Sequence, residues 1–103
     1  MQPEKQIQND ILAWFDKLEH EGRPIIFDRR QAGGFSYKKG IPDVWAAYNG
    51  RHIEVEVKVP GKELRPMQEK FALRCKQMNT LHIVAYSVEQ VKEFFKENLD
   101  GTL

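Results

Sequence analysis

The most informative segment of this sequence covers residues 43–59 and reads DVWAAYNGRHIEVEVKV. Asn49 and Gly50 stand in its middle, and this pair is a strong signal for a two-residue β-turn because both residue types tolerate positive φ angles. After the turn, apolar residues alternate with charged ones, which is the pattern of a strand with two unlike faces. The segment therefore predicts a β-hairpin with one face in the core and one charged face.

The flanking segments predict a mixture of helices and strands around this hairpin. Apolar spacing over residues 3–21 predicts an amphipathic helix, and residues 23–30 contain a short strand followed by a long basic, glycine-containing loop. After the hairpin we expect a helix over residues 65–78 whose apolar stripe contains Met67, Phe71, Cys75 and Met78. A largely buried strand over residues 81–86 follows, and a helix capped by Ser87 ends near residue 98.

This order predicts an α/β domain with a mixed central sheet. The connection through the helix at 65–78 is long enough to bring the last strand parallel to an earlier one. A chain of 103 residues with 41% hydrophobic and 30% charged residues fits one globular domain over residues 1–103. The single cysteine excludes an internal disulfide, and the sequence contains neither a signal-peptide core nor a long apolar run, so we expect a cytoplasmic protein.

Carboxylates and a lysine share the charged face of the hairpin. Asp43 lies seven residues before Gly50 and Glu56 six after it, so their Cβ atoms are expected about 4.5–8 Å apart. That spacing suits two carboxylates that share one divalent cation, and oxygen ligands favour Mg²⁺ or Mn²⁺. Lys58 points to the same face, where it can hold an attacking water or stabilise charge on a phosphate. Alternating acids and bases on a hairpin are also typical of a purely solvated face, and spacing alone leaves this alternative open.

Three further side chains bear on this face. Glu54 lies one pleat before Glu56; we expect it to face solvent, and the alternative is a second metal bound through water. Gln68 lies on the inward side of its helix, where a buried amide needs a partner; the alternative is an amide bonded to backbone at the helix start. Glu4 continues the inward stripe of the first helix.

Several short motifs together resemble a known family. They are Gly40-Ile41-Pro42-Asp43, then Glu56-Val57-Lys58, then Gln68 at the start of a helix, with Glu4 in an opening helix. This ordered set resembles the VRR-NUC domain family of the PD-(D/E)XK nuclease superfamily, in its small stand-alone form from phages or bacteria. The resemblance covers nearly the whole chain. It implies a restriction-endonuclease-like αβββαβ core, here with an extra C-terminal helix.

The resemblance also implies a metal site and its ligands. The expected activity is hydrolysis of phosphodiester bonds in DNA with Mg²⁺ or Mn²⁺ as cofactor. Asp43 and Glu56 would be the metal-binding carboxylates, and the backbone carbonyl of Val57 would be a further ligand. Glu4 would contact the metal directly or through water.

The catalytic residues and partners implied by the resemblance complete this hypothesis. Lys58 would be the catalytic lysine, and Gln68 would orient that lysine or the scissile phosphate. Small stand-alone members resemble Holliday-junction resolvases, which implies a homodimer that cuts branched DNA such as four-way junctions or flaps. The corresponding location would be a bacterial or phage-infected host cytoplasm.

The distribution of charge agrees with a nucleic-acid partner better than the total does. The net charge is only +1, but residues 22–40 and 58–76 each carry +4 and flank the −2 segment at 41–57. We therefore expect DNA contacts from Arg29, Arg30, Tyr37, Lys38, Lys39, Lys62 and Arg65. Two alternatives remain open at this point, a non-catalytic DNA-binding or assembly module and a site-specific restriction-type nuclease.

Overall fold

The computed structural model describes residues 2–30 and 40–99, and its elements follow the predicted order. They are α1 (Glu4–His20), β1 (Ile25–Arg29), β2 (Val44–Tyr48), β3 (Arg51–Val57), α2 (Pro66–Gln77), β4 (Leu81–Ala85) and α3 (Val88–Asn98). The predicted DNA contacts at Tyr37, Lys38 and Lys39 lie outside the described residues. Within the described ranges, no helix is long and apolar enough to cross a membrane.

The four strands form one mixed sheet in the order β1-β2-β3-β4. β1, β2 and β3 pair antiparallel, and β4 pairs parallel to β3, as the long connection through α2 predicts. The turn between β2 and β3 has positive φ at both Asn49 (51°) and Gly50 (82°), which confirms the two-residue hairpin. Val44 pairs with Val55, so one further step along the ladder brings Asp43 opposite Glu56.

The hydrophobic core lies between the sheet and the helices α1 and α3. Its largest members include Phe15 of α1, Tyr48 of β2 and Phe95 of α3, all of which are almost completely buried. The ring centroids of Phe15 and Phe95 lie 5.5 Å apart, and those of Tyr48 and Phe95 lie 5.1 Å apart. Aromatic pairs at these distances contribute about 0.5–1.5 kcal/mol each beyond the burial of their area. This packing gives the strands that carry the site a rigid support.

The opposite face of the sheet differs from the sequence expectation in two respects. β4 is an edge strand, and four of its five residues are only half-buried, so the prediction of a largely buried strand was wrong. Met67 and Met78 are 46% and 69% exposed, although their spacing placed them in the inward stripe of α2. The buried residues of α2 are Gln68 and Cys75. The physical reason is that α2 packs on β4 at one edge of the sheet, so a single narrow row of its side chains is covered.

Candidate active site

Glu56 is the central residue of the site. It lies on β3, on the side of the sheet away from α1, and it is only 5% exposed. Within the described part of the chain, its Oε1 atom is buried and has no hydrogen-bond partner. Burial raises the pKa of Glu56 to about 7; Lys58 acts to lower this pKa, and the negative charges of Asp43 and Glu4 raise it. A cation that reaches this carboxylate would stabilise its charged form.

Asp43 reaches the site because the sheet continues past the end of β2. Its backbone carbonyl accepts a hydrogen bond of 2.7 Å from the backbone N–H of Arg30, which extends the pairing of β1 and β2 by one step. Its side chain is exposed, and it borders the same cavity as Glu56. The hairpin register therefore produces the pair of carboxylates that the spacing predicts.

Gly40 allows the segment before Asp43 to approach the start of α2. Its φ angle is +83°, and a Cβ atom at this position would lie 2.4 Å from the backbone carbonyl oxygen of Met67. No real Cβ contact is that short, so only glycine fits both the backbone angle and the space. This close approach brings the segment that contains Asp43 against the helix that carries Gln68.

Gln68 lies in the first turn of α2 and is 6% exposed. Its side-chain oxygen accepts a hydrogen bond of 2.8 Å from the backbone N–H of Arg65. The oxygen of the Gln68 amide is therefore bonded to backbone at the start of the helix, which was the alternative to an active-site role. The side chain also borders the cavity beside Lys58, so its proposed contact with that lysine or with a phosphate stays a prediction.

These side chains surround a cavity of about 410 Å³. Seven residues predicted from the sequence border it: Glu4, Asp43, Glu56, Lys58, Lys62, Arg65 and Gln68. Glu63 also borders it and was not foreseen, because it belongs to no motif and its position depends on the path of the chain after β3. Arg29 is exposed at the end of β1 and does not border the cavity, and Val57 is buried.

Glu54 does not face solvent, so that expectation was wrong. It is 4% exposed and accepts two hydrogen bonds from the guanidinium of Arg30, 2.6 Å from Nη1 and 2.8 Å from Nη2. The Nε2 atom of His52 also contacts its second oxygen. Burial acts to raise the pKa of Glu54, but the hydrogen bonds from Arg30 and His52 outweigh it and hold this pKa below its usual value. Arg30, expected to contact DNA, thus has a partner within the protein.

A second group of possible metal ligands lies on α1. Oxygen and nitrogen atoms of Asp16, Glu19 and His20 come within 4.8 Å of one another near the end of this helix. All three side chains are exposed, and exposed acidic groups of this kind are common without a metal. They lie apart from the cavity, and we assign them no role.

The elements form an α/β domain with a four-stranded mixed sheet, and its cavity is lined by both carboxylates and basic side chains. A solved structure described as a VRR_NUC domain superposes on this chain with a TM-score of 0.72 and covers 93% of this chain and 96% of its own. The sequence identity is 20%, so the likeness shows the fold, and the fold expected from the sequence motifs is confirmed. No protein-family model matches the sequence, and no curated protein matches it.

Proposed function

We propose that this protein is a divalent-metal-dependent endonuclease that hydrolyses phosphodiester bonds in DNA. The observation that carries the proposal is the buried oxygen of Glu56 without a hydrogen-bond partner among the described residues, opposite Asp43 and beside Lys58. Burial of a carboxylate without a partner costs several kcal/mol, which a bound cation would offset. Such a carboxylate is hard to explain as part of a solvated hairpin face.

The residues around the cavity fit Mg²⁺ or Mn²⁺. Asp43 and Glu56 would be the carboxylate ligands, with the carbonyl of Val57 as a further ligand and Glu4 bound directly or through water. These are hard oxygen donors, and no cysteine or histidine borders the described cavity, which disfavours zinc. When bound, the cation would neutralise charge on the scissile phosphate and lower the pKa of a water molecule.

The basic side chains of the cavity would bind and orient the phosphate. Lys58 is half-buried and lies two residues after Glu56, so its ammonium can hold the attacking water or stabilise the charge that develops on the phosphate. Lys62 and Arg65 are exposed at the opening, where they can contact flanking phosphates of the DNA backbone. Gln68 can orient Lys58 or the phosphate through the part of its amide that does not bind Arg65.

We further propose that the substrate is branched DNA and that the active form is a homodimer, as in Holliday-junction resolvases. The described elements include no helix or zinc module of a kind known to read bases, so selectivity would come from DNA shape. One cavity cuts one strand, and symmetric cleavage of a four-way junction therefore needs two copies. Light scattering of the protein with and without a junction would measure the number of subunits.

The decisive experiment compares cleavage of four-way junctions, flaps and linear duplex by the wild type and Lys58→Ala with Mg²⁺ or Mn²⁺. We expect the wild type to cut branched DNA and Lys58→Ala to bind it without cutting. Lys92→Ala, an exposed lysine of α3, is the matched control and should cut like the wild type. Binding without cleavage by the wild type, or cleavage that survives in Lys58→Ala, would overturn the proposal. A fixed cut sequence in linear duplex would indicate a restriction-type nuclease instead.

A further inference from the structure

Arg30, Glu54 and His52 form a polar cluster that does not border the proposed active-site cavity. Glu54 is its centre and is almost completely buried, with both carboxylate oxygens engaged. Buried ion pairs gain little stability over apolar residues of similar size, because both charges must leave water. The presence of this pair next to the backbone of Asp43 and on the strand of Glu56 therefore calls for a reason other than stability.

Arg30 holds the backbone on both sides of Asp43. Its Nη1 donates a hydrogen bond of 2.6 Å to the carbonyl oxygen of Pro42, and its backbone N–H donates one of 2.7 Å to the carbonyl oxygen of Asp43. These two carbonyls belong to the peptide planes before and after the Asp43 Cα atom. Because each peptide unit is planar, fixing both planes fixes the direction in which the Asp43 side chain leaves the backbone.

Glu54 in turn holds the guanidinium of Arg30. The bidentate pair fixes the plane of the guanidinium, which is the geometry in which an arginine gives up least freedom per hydrogen bond. Glu54 also lies two residues before Glu56 on the same side of β3, about 7 Å away along the strand. One buried carboxylate thus connects the strand of Glu56 to the segment of Asp43.

In addition to Arg30, His52 contacts the Glu54 carboxylate. Its Nε2 atom contacts the second oxygen of Glu54, and its ring stacks on Trp45 with the centroids 5.8 Å apart and the planes inclined by 16°. Trp45 and Glu54 are paired residues of β2 and β3. The cluster therefore joins the end of β1 to β2 and β3, two residues along the strands from the paired positions of Asp43 and Glu56.

We infer that Arg30 and Glu54 are positioning residues that set the separation and aim of the Asp43 and Glu56 carboxylates for a divalent cation. The inference rests on the proposed function, since it concerns the same metal site. Neither residue borders the cavity: Arg30 would act through the carbonyls of Pro42 and Asp43, and Glu54 would act through Arg30. Side chains that orient metal ligands in this way contribute about 10–100-fold to metal affinity.

The test is a calorimetric titration of the full chain with Mn²⁺ in the absence of DNA. Arg30→Lys keeps the charge beside Glu54 but cannot bind its two oxygens and Pro42 together, and we expect Mn²⁺ to bind about 10–100-fold more weakly. The double variant Arg30→Met/Glu54→Met removes both charges of the pair, so that no buried charge is left without a partner; it should keep the melting temperature of the wild type while showing the same loss of affinity. Arg23→Lys, an exposed arginine before β1, is the matched control.

The outcomes separate this inference from the proposed function. Wild-type affinity in Arg30→Lys or in the double variant would overturn the positioning role, provided that Glu56→Gln abolishes binding in the same titration. A wild-type protein that binds no Mn²⁺ would overturn the proposed function itself. A loss of affinity in the double variant at an unchanged melting temperature supports positioning, because a purely structural pair would leave affinity intact in a folded protein.

Discussion

Replacement of Glu56 by glutamine should make the metal-free protein more stable while removing its metal site. In the folded protein burial raises the pKa of Glu56 from 4.5 to about 7, so the folded state holds a proton that the unfolded chain releases earlier. The free energy of unfolding therefore falls as the pH rises from 4.5 towards 7. Above pH 7 the folded protein bears the full penalty of burying the charged Glu56 carboxylate. Glutamine resembles the protonated carboxyl and carries no such penalty.

The expected size of the effect follows from the pKa. An interval from 4.5 to about 7 corresponds to about 3 kcal/mol at 1.36 kcal/mol per pH unit. We expect about 1–2 kcal/mol in practice, because Glu56 borders an open cavity and the glutamine amide must find partners there. For a domain of this size the melting temperature of Glu56→Gln should exceed that of the wild type by about 5–10 °C at pH 8.

Thermal unfolding followed by circular dichroism, in EDTA at pH 5 and pH 8, measures this difference. The stability that Glu56→Gln gains over the wild type should be less than half as large at pH 5, because the wild-type Glu56 is then mostly protonated in the folded state. Glu97→Gln, an exposed glutamate of α3, is the matched control and should change little at either pH. Mn²⁺ at a hundred times Kd should raise the free energy of unfolding of the wild type by about 2.7 kcal/mol and should leave that of Glu56→Gln unchanged. A Glu56→Gln protein less stable than the wild type at pH 8 in EDTA would refute the reasoning.

Three other changes have defined outcomes. Gly40→Ala should lower the free energy of unfolding, measured in urea, by about 2–4 kcal/mol, because the new Cβ atom meets the start of α2. The control is Gly22→Ala, which has a φ angle of +81° but nothing within 4 Å of the new Cβ atom and should cost only about 1–2 kcal/mol. Equal costs of the two substitutions would contradict the close contact at Gly40. Lys62→Ala and Arg65→Ala should each reduce by about 1 the slope of log DNA affinity against log salt concentration, measured by fluorescence anisotropy. Lys96→Ala, at an exposed lysine of α3, should leave this slope unchanged. Unchanged slopes in Lys62→Ala and Arg65→Ala would argue against phosphate contacts at the cavity. EDTA should abolish cleavage, with activity returning on addition of Mn²⁺, and cleavage in EDTA would exclude the proposed metal dependence.

Much of the fold follows from short-range patterns. Asn49 and Gly50 accept the positive φ angles of the turn, and the alternation after them gives β3 its two faces, so the hairpin and its register could be predicted without any tertiary information. The register then brings Asp43 opposite Glu56 by simple counting. Asp43, Glu56 and Lys58 of the cavity follow from the same counting, whereas Glu4 and Gln68 were predicted from their helices and Lys62 and Arg65 from the distribution of charge.

Other features depend on which elements cover which surfaces. Met67 and Met78 have the spacing of an inward stripe, yet they are exposed because α2 lies at one edge of the sheet. Glu54 occupies the same face as Glu56, and alternation alone assigned it to solvent; its burial depends on Arg30, which is 24 residues away in sequence. No local pattern encodes that pairing, since it requires β1 and β3 to flank β2 in the sheet.

Local sequence thus determined the elements, the hairpin and the identity of the charged side chains, because turn chemistry and side-chain alternation act over a few residues. The tertiary structure decided which of these charges are desolvated. Glu56 has an oxygen without a hydrogen-bond partner among the described residues, whereas Glu54, two residues earlier, is fully engaged by Arg30 and His52. Both are buried glutamates on one face of one strand, and the difference between them is set by neighbours that only the folded chain brings together.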